Sequence, residues 1–516
     1  MVSTAFPKAT EAGVEMFKQG GNAIDAACAA AFALSVCEPQ ASGLGGQSLA
    51  ILHYRGKTIG IDGSSRAPSL AHIDAFKGGG KILGHTASTL PTTTAVLGYL
   101  NFRYGWLDWS TILEPAIKLA RDGYQISALQ HRLLKRETAQ LLAAPNKSGA
   151  KYFLKNGVVP YKPGETFKQK DLAELLEYLA SHGPRAFYQG KIANQIGKDM
   201  EENGGFLRAD DLALIPWPIE RKPLRRRYRN TSVYTLPPPS AGNTLLLVLL
   251  MLDSIPPRVF RRLTPKVYHI FAETFRKAFL HRTEHPYGPN IYPQVTDKRM
   301  LSRDYARTVV ETITEAIDPD LPLVDPFAEN DTTHLSAMDA EGNAIGITQS
   351  IERVYGAKVA ADGLGFLYNN YMSQFNTKDP SHPYYLRPNG VPWTQVSPAI
   401  LFYRKELWQV MGSPGSQRIF STVAQYLTHI VDRSLPIDQA MLEPRLHCSI
   451  GGKVSLEADR FNPETIDYLT RMGYKIDKRE PYAFYLGAIH AVTKTQTMDG
   501  FQGVAEIRRD GTAGGI

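Results

Sequence analysis

The chain has 516 residues, is 43% hydrophobic and 21% charged, and carries a net charge of +8. That make-up describes a folded globular protein with length for one large α/β core or two to four domains, and it excludes a disordered chain. Its longest apolar run, Leu245 to Leu252, is far shorter than the ~20 residues of a membrane-spanning helix, so no membrane association is expected.

Residues 1–10 lack the basic start, apolar stretch and small-residue cleavage site of a secretory leader, and a cytoplasmic location is expected. Cys28, Cys37 and Cys448 match neither a disulfide framework nor metal-site spacing and read as buried thiols. Basic residues concentrate in Arg221 to Arg229. With no nucleic-acid module beside it and prolines at 216, 218 and 223, that run reads as a solvated connection leading to an edge strand.

In chain order, Ala9 to Cys37 is expected to be two helices around the Gly20-Gly21 turn, ended by Pro39. The glycine loop Ser42 to Ser48 then feeds two strands in LAILHYRGKTIGID, with RGK as their turn. Because the loop follows a helix and precedes a strand, it lacks the order of a nucleotide-binding loop. Helices dominate from Thr86 to Gly205, Trp109 to Asp122 being a clear one, and recur at Pro239 to Leu252 and Thr264 to His281. Within the last of these, His281-Arg282-Thr283-Glu284-His285 spells the H-x-x-E-H pattern of some zinc peptidases. Pro286 ends the helix and no third ligand can be placed, so the histidines are read as solvent-facing or capping and no metal is expected.

From Asn330-Asp331-Thr332-Thr333-His334 the balance shifts to strands. His334 to Asp339 and Ala344 to Ile351 alternate about Ala340-Glu341-Gly342-Asn343, an antiparallel hairpin. If Asp339 faces Ala344, Thr332 lies opposite Ile351 with Ser350 and Glu352 beside it, to within one residue. Alone, Thr332 and Thr333 are ordinary strand residues. The functional reading requires the chain to cut itself before Thr332, so that the new α-amine serves as base for the hydroxyl. Further on, Met411 to Gln417 joins a strand to a helix through glycines. Free amides there suit an anion or oxyanion, although a tight turn alone also explains them. The C-terminal part reads strand, helix, strand, then a hairpin from Ala488 to Arg508.

GGNAIDAACAAAFAL, LGGQS, PPPSAGNT at 237–244, DTTHLSAMDAEGNA, LYNNYM, GSPGSQRI and the terminal RRDGTAGG together resemble the γ-glutamyltranspeptidase family of N-terminal nucleophile hydrolases, along nearly the whole chain. The resemblance implies an α/β fold, a four-layer αββα sandwich, made as one precursor and cut between Asp331 and Thr332. Residues 1–331 would form a helix-rich large subunit and 332–516 a small one, both in a single αββα unit. It further implies Thr332 as nucleophile, Ser350 where the family has a supporting threonine, and backbone amides of Gly415 and Ser416 for the oxyanion. No cofactor is implied. The partners are a small amide or peptide substrate and the two fragments themselves, and a homo-oligomer is compatible with the pattern.

The substrate pocket departs from the family pattern. Ser64 stands where an arginine grips the substrate's α-carboxylate, with Arg66 two places on; Gln374 replaces the acid that meets the α-amine, Tyr371 a glutamine, Glu352 an asparagine, and Thr394-Gln395 a serine pair. Residues 376–391, with Pro380, Pro383 and Pro388, fall where some relatives carry a lid. An amidohydrolase or acyltransferase acting on γ-glutamyl or related acyl amides is therefore expected. The alternatives are an acylase of glutaryl-type amides, and an uncleaved relative that binds a metabolite or acts as scaffold.

Overall fold

In the computed structural model, described for residues 1–76, 82–288, 300–313, 316–317, 331–495 and 500–516, two sheets face each other between layers of helix. The seven-stranded sheet runs, edge to edge, Thr512–Gly514, Val2–Thr4, Thr333–Met338, Ala344–Ser350, Gln47–Tyr54, Lys57–Asp62 and Ile219–Arg221. The six-stranded sheet runs Phe501–Ala505, His490–Lys494, Glu406–Gly412, Ala399–Tyr403, Thr231–Thr235 and Leu224–Tyr228. Leu49, Ile51, Met338 and Ala344 of the first pack on Ile400, Val410 and Val492 of the second. Helices cover both outer faces, giving the expected αββα sandwich. Strands from before and after Thr332 are hydrogen-bonded to one another within the seven-stranded sheet.

Local sequence explains the helices that hold the sheets. Asn22 caps Ala23–Cys37 by accepting from the Ile24 and Asp25 amides, and Asp25 returns the bond to the Asn22 amide, a capping box. Every residue of that helix is buried, and its run of alanines lets it lie close on the sheet. Behind the other sheet, Gly242–Asp253 buries an unbroken apolar run from Leu245 to Leu252. Each such leucine contributes about 1.5–3 kcal/mol relative to exposure. Helix Pro265–Glu284 packs against it.

The basic stretch is itself mostly edge strand and not the solvated connection expected before one: Arg221 closes Ile219–Arg221, Leu224–Tyr228 ends the six-stranded sheet, and Arg226 and Arg227 donate to the carbonyls of Leu301 and Arg229 at 2.8 Å. The three cysteines are free and buried. Among the described residues no helix is long and apolar enough to cross a membrane.

The hairpin register differs by one residue from the sequence expectation. Ala344 pairs with Met338 and Gln349 with Thr333, which sets Ser350, not Ile351, across from Thr332. Asp339 faces Asn343 in place of Ala344: its amide donates to the Asn343 carbonyl at 3.1 Å, and its carboxylate accepts from the Asn343 amide at 2.9 Å and side-chain nitrogen at 2.9 Å. That closure shortens the loop by one residue and moves every pair by one.

Candidate active site

Asp331 and Thr332 lie at the mouth of the Thr333–Met338 strand, both buried. The Thr332 hydroxyl donates to the Asp331 carbonyl oxygen at 2.7 Å and stands 3.2 Å from the Ser350 hydroxyl. Ser350 Oγ donates to the same carbonyl at 2.9 Å and accepts from the Glu352 amide at 2.8 Å. The Asp331 amide donates to the Glu352 carbonyl at 2.8 Å. Glu352 adopts φ +76°, a left-handed conformation costing a non-glycine residue about 1–2 kcal/mol. That turn brings its amide and carbonyl back onto Ser350 and Asp331.

The glycine loop buttresses this arrangement. A Cβ on Gly46 would come within 2.4 Å of the Ser350 carbonyl oxygen, and one on Gly45 within 2.1 Å of the Leu367 carbonyl oxygen. Only glycine permits the loop to press against the strand that carries Ser350. The loop's fitness for this close approach, rather than for phosphate, explains its composition.

On its other side Asp331 is held by charge. Its carboxylate pairs with Arg509 through two guanidinium nitrogens, one at 3.3 Å, and Arg509 also reaches Glu38 at 3.1 Å. All three residues are buried. Burial drives the Glu38 carboxyl up to about 7 against the pull of Arg509. Sequence reasoning missed Arg509 and Glu38, although the RRDGTAGG motif contained the first.

The Gly415–Ser416 loop leaves the Glu406–Gly412 strand where Gly412 packs on His334, two residues past Thr332; a Cβ at Gly412 would lie 2.5 Å from the His334 ring. Gly415 and Ser416 have φ of +119° and +53°. Among the described residues neither amide donates a hydrogen bond, so two N–H groups are unengaged at the start of helix Arg418–Val431.

The pocket residues fall into two groups. Tyr371 is buried, and its hydroxyl lies beside Ser350, Gln47, Thr394 and the Glu352 carboxyl. Burial holds the phenol well above its usual range and raises Glu352 to about 8, opposed by Arg353 and by Tyr371. Gln47 Nε2 donates to Thr394 Oγ1 at 3.4 Å. Gln395 adjoins Thr394 and accepts at Oε1 from Arg282. Thr332, Ser350, Glu352, Tyr371, Thr394 and Gln395 thus form one connected neighbourhood.

Arg66, Ser64 and Gln374 stand apart from it. Arg66 is exposed and its side chain makes no hydrogen bond among the described residues. Ser64 Oγ donates to Asp62 at 2.6 Å, and Asp62 pairs with Arg221 at 3.0 Å. Gln374 shares a short 3₁₀ turn with Tyr371 but donates to Ser373 at 3.4 Å. Residues 376–391 are fastened to the body: Gly390 and Ala67 are hydrogen-bonded at 2.8 Å, Tyr384 stacks on Trp393 at 5.4 Å, and Leu386 is buried.

Comparison with known proteins accords with this geometry. Residues 9–516 match the family model described as Gamma-glutamyltranspeptidase. The glutathione hydrolase proenzyme of Escherichia coli strain K12 is 32% identical over 507 residues, 93% of this chain and 86% of that protein. An acylase proenzyme, ACY 1, of Pseudomonas sp. strain V22 is 30% identical over 531 residues, 99% of this chain and 92% of that one. The crystal structure of cephalosporin acylase from Bacillus halodurans superposes with a TM-score of 0.90 at 26% identity, covering 100% of this chain and 95% of that one.

Proposed function

Because the chain belongs to the γ-glutamyltranspeptidase family, we propose that it cuts itself between Asp331 and Thr332 and then uses the new N-terminal threonine to hydrolyse or transfer the acyl group of γ-glutamyl or related amides. The carrying observation is the placement of the Thr332 and Ser350 hydroxyls on the Asp331 carbonyl at 2.7 and 2.9 Å.

In the precursor, Thr332 Oγ1 attacks the Asp331 carbonyl carbon while Ser350 donates to its oxygen. The C–N bond breaks, the nitrogen takes the proton, and Asp331 becomes an ester on Thr332. Water hydrolyses that ester, leaving fragments 1–331 and 332–516. The freed amine, with a reference pKa near ~7.7–8.0, then accepts the hydroxyl proton as Oγ1 attacks the substrate carbonyl. Unengaged amides at Gly415 and Ser416 suit the tetrahedral oxyanion; losing one such donor costs about 3–4 kcal/mol. Collapse passes the proton to the leaving amine and leaves acyl-Thr332, which water or an acceptor amine releases.

The acyl group is a separate matter. Ser64 and Gln374 do not restore the charges of an amino-acid clamp, and losing one partner of a buried charge pair costs about 2–5 kcal/mol. An acylase specialised for glutaryl-type amides, which need no contact to an α-amine, is the second reading, and its support is Gln374 in place of an acid.

Intact mass of freshly made protein tests the first step, and release from γ-glutamyl, glutaryl and simple acyl anilides tests the second. A chain that stays whole and releases none of them is the scaffold alternative. Rapid release from γ-glutamyl anilide, with glutaryl anilide ignored, rules out the specialised acylase.

A further inference from the structure

Three separate stretches of the chain bring cations to one groove of about 620 Å³. Arg225, Arg226 and Arg227 come from the edge strand Leu224–Tyr228, Arg303 from the start of helix Arg303–Glu311, and Arg404 and Lys405 from the turn between Ala399–Tyr403 and Glu406–Gly412. Among the described residues no carboxylate lines it. The run at 221–229 is visible along the chain, whereas the other three cations reach it only through the fold.

A cleft lined by one sign of charge focuses its field on the space inside. Arg303 is already answered by Asp253 at 3.4 Å, and Arg226 donates to the Leu301 carbonyl at 2.8 Å. Arg225, Arg227, Arg404 and Lys405 pair with no carboxylate among the described residues. Arg225 and Arg227 lie two places apart on a strand and so share a face, where Ser232 stands opposite Arg227 and Phe402 opposite Ser232. Neutral groups steady both guanidinium ions. Arg225 donates to Ser232 Oγ at 3.2 Å and covers the Tyr234 ring at 5.4 Å, and Arg227 donates to the Arg229 carbonyl at 2.8 Å. Such contacts hold the forks in place without cancelling their charge, which leaves them preorganised for an anion.

The turn is an independent observation. Tyr403 pairs with Glu406, so Arg404 and Lys405 are the two central residues of a tight hairpin, with φ of +51° and +73°. Turns with both central φ values positive favour Asn-Gly, and long side chains rarely adopt that conformation. The chain places two cations at the lip of the groove where asparagine and glycine would fold with less strain. Strain of this kind marks functional positions.

The charge to be answered decides the ligand. Four cations without a carboxylate partner call for several negative charges in a small space. A phosphate carries about −1.5 to −2 charges at neutral pH and three acceptor oxygens, so a short run of phosphates answers the groove with few atoms. The volume is that of a small-molecule site. Half-buried Phe402 and buried Leu250 and Leu301 add an apolar floor beside the cations. We propose that this groove binds a small ligand carrying two or more phosphates in a row. It lies apart from the Thr332 neighbourhood, because Thr394 and Gln395 precede the Ala399 end of the strand whose Tyr403 end carries the turn. Binding there does not depend on self-cleavage.

Isothermal titration of the full chain with inorganic triphosphate, in about 50 mM salt to keep exposed charges weakly screened, reads the binding directly. Triphosphate should saturate one site, bind at least about tenfold more tightly than inorganic monophosphate, and weaken as salt is raised to about 200 mM. Arg404→Asn with Lys405→Gly builds the turn that the backbone prefers while removing two cations. That turn variant should melt no lower than wild type yet bind triphosphate at least about tenfold more weakly. Lys118→Gln with Lys191→Gln removes two exposed charges from other helices and should bind as wild type does. Adenosine triphosphate distinguishes the source of the phosphates: affinity equal to that of inorganic triphosphate supports a site for the phosphates alone, and tighter binding supports a nucleotide whose base lies on the apolar floor.

Absence of saturable triphosphate binding overturns the proposal. So does undiminished binding by the turn variant, or an equal loss in the Lys118→Gln, Lys191→Gln chain, which would reduce the effect to net charge. Binding of a single-stranded DNA oligonucleotide that triphosphate fails to displace also overturns it, and makes the groove a nucleic-acid surface instead.

Discussion

The Ser350 hydroxyl lies 3.2 Å from the Thr332 hydroxyl and 2.9 Å from the carbonyl oxygen that Thr332 would attack. One small side chain would therefore touch both the attacking atom and the developing oxyanion of the proposed self-cleavage. Four expectations follow from this arrangement and its surroundings.

Thr332→Ala removes the attacking oxygen, so that chain should remain a single 57.2 kDa species on denaturing electrophoresis. Thr332→Ser keeps the oxygen and should yield the two fragments. Cleavage of the alanine variant at the same bond would show that another group, or a contaminating protease, does the cutting.

Ser350→Ala removes a donor to a buried carbonyl and an acceptor for the Glu352 amide. Leaving such groups unsatisfied costs about 1–3 kcal/mol, or about 5- to 150-fold in rate if expressed in the transition state. A time course of fragment appearance should show that slowing, and Ser350→Thr should restore it. An alanine variant that matures at the wild-type rate would remove Ser350 from the mechanism.

Arg509→Met leaves the Asp331 and Glu38 carboxylates buried without their cation. Breaking a buried pair by removing one partner costs about 3–5 kcal/mol. The variant should melt at lower temperature and mature slowly, because Asp331 loses the clamp that aims its carbonyl. Normal melting together with normal maturation would mean that the cluster is relieved by water.

Glu352 titrates at about 8 in the folded chain, raised by burial above the ordinary 4.5. Between those values the folded state holds a proton that the unfolded state has lost. Stability from this group is therefore full below pH ~4.5 and declines as pH rises through ~8. Glu352→Gln cannot ionise, so its melting temperature should gain on wild type as pH is raised from about 5 to about 8, then hold a constant offset. A difference that stays flat across that range would show that Glu352 is ionised throughout.

Much of this was legible from local pattern. Alternation in 333–350 gave a hairpin because side chains in a strand change face at every residue. The strand, glycine loop and helix around Gly415, and the burial of Ile419, Val423, Leu427 and Ile430 on that helix, follow from the switch to a helical period. Motif resemblance then singled out Thr332, which composition and propensity treat as an ordinary strand residue.

The pairing register was not legible, because whether Asp339 faces Ala344 or Asn343 is decided by its backbone and side-chain bonds to Asn343, and either choice satisfies the same alternation.

By itself, the sequence determined the layers and the hairpin and singled out Thr332 as the proposed nucleophile, all of which depend on residues close together in the chain or on a recognisable motif. Tertiary structure alone decided which polar groups meet: Arg509 with Asp331 across 178 positions, and Arg282 with Gln395 across 113. Arg66 and Arg282 are the same residue type, yet one faces water and the other is enclosed under Trp393. The physical reason is that periodicity specifies which face a side chain takes, whereas its partner is set by how two sheets and their covering helices stack, and no local pattern encodes that distance.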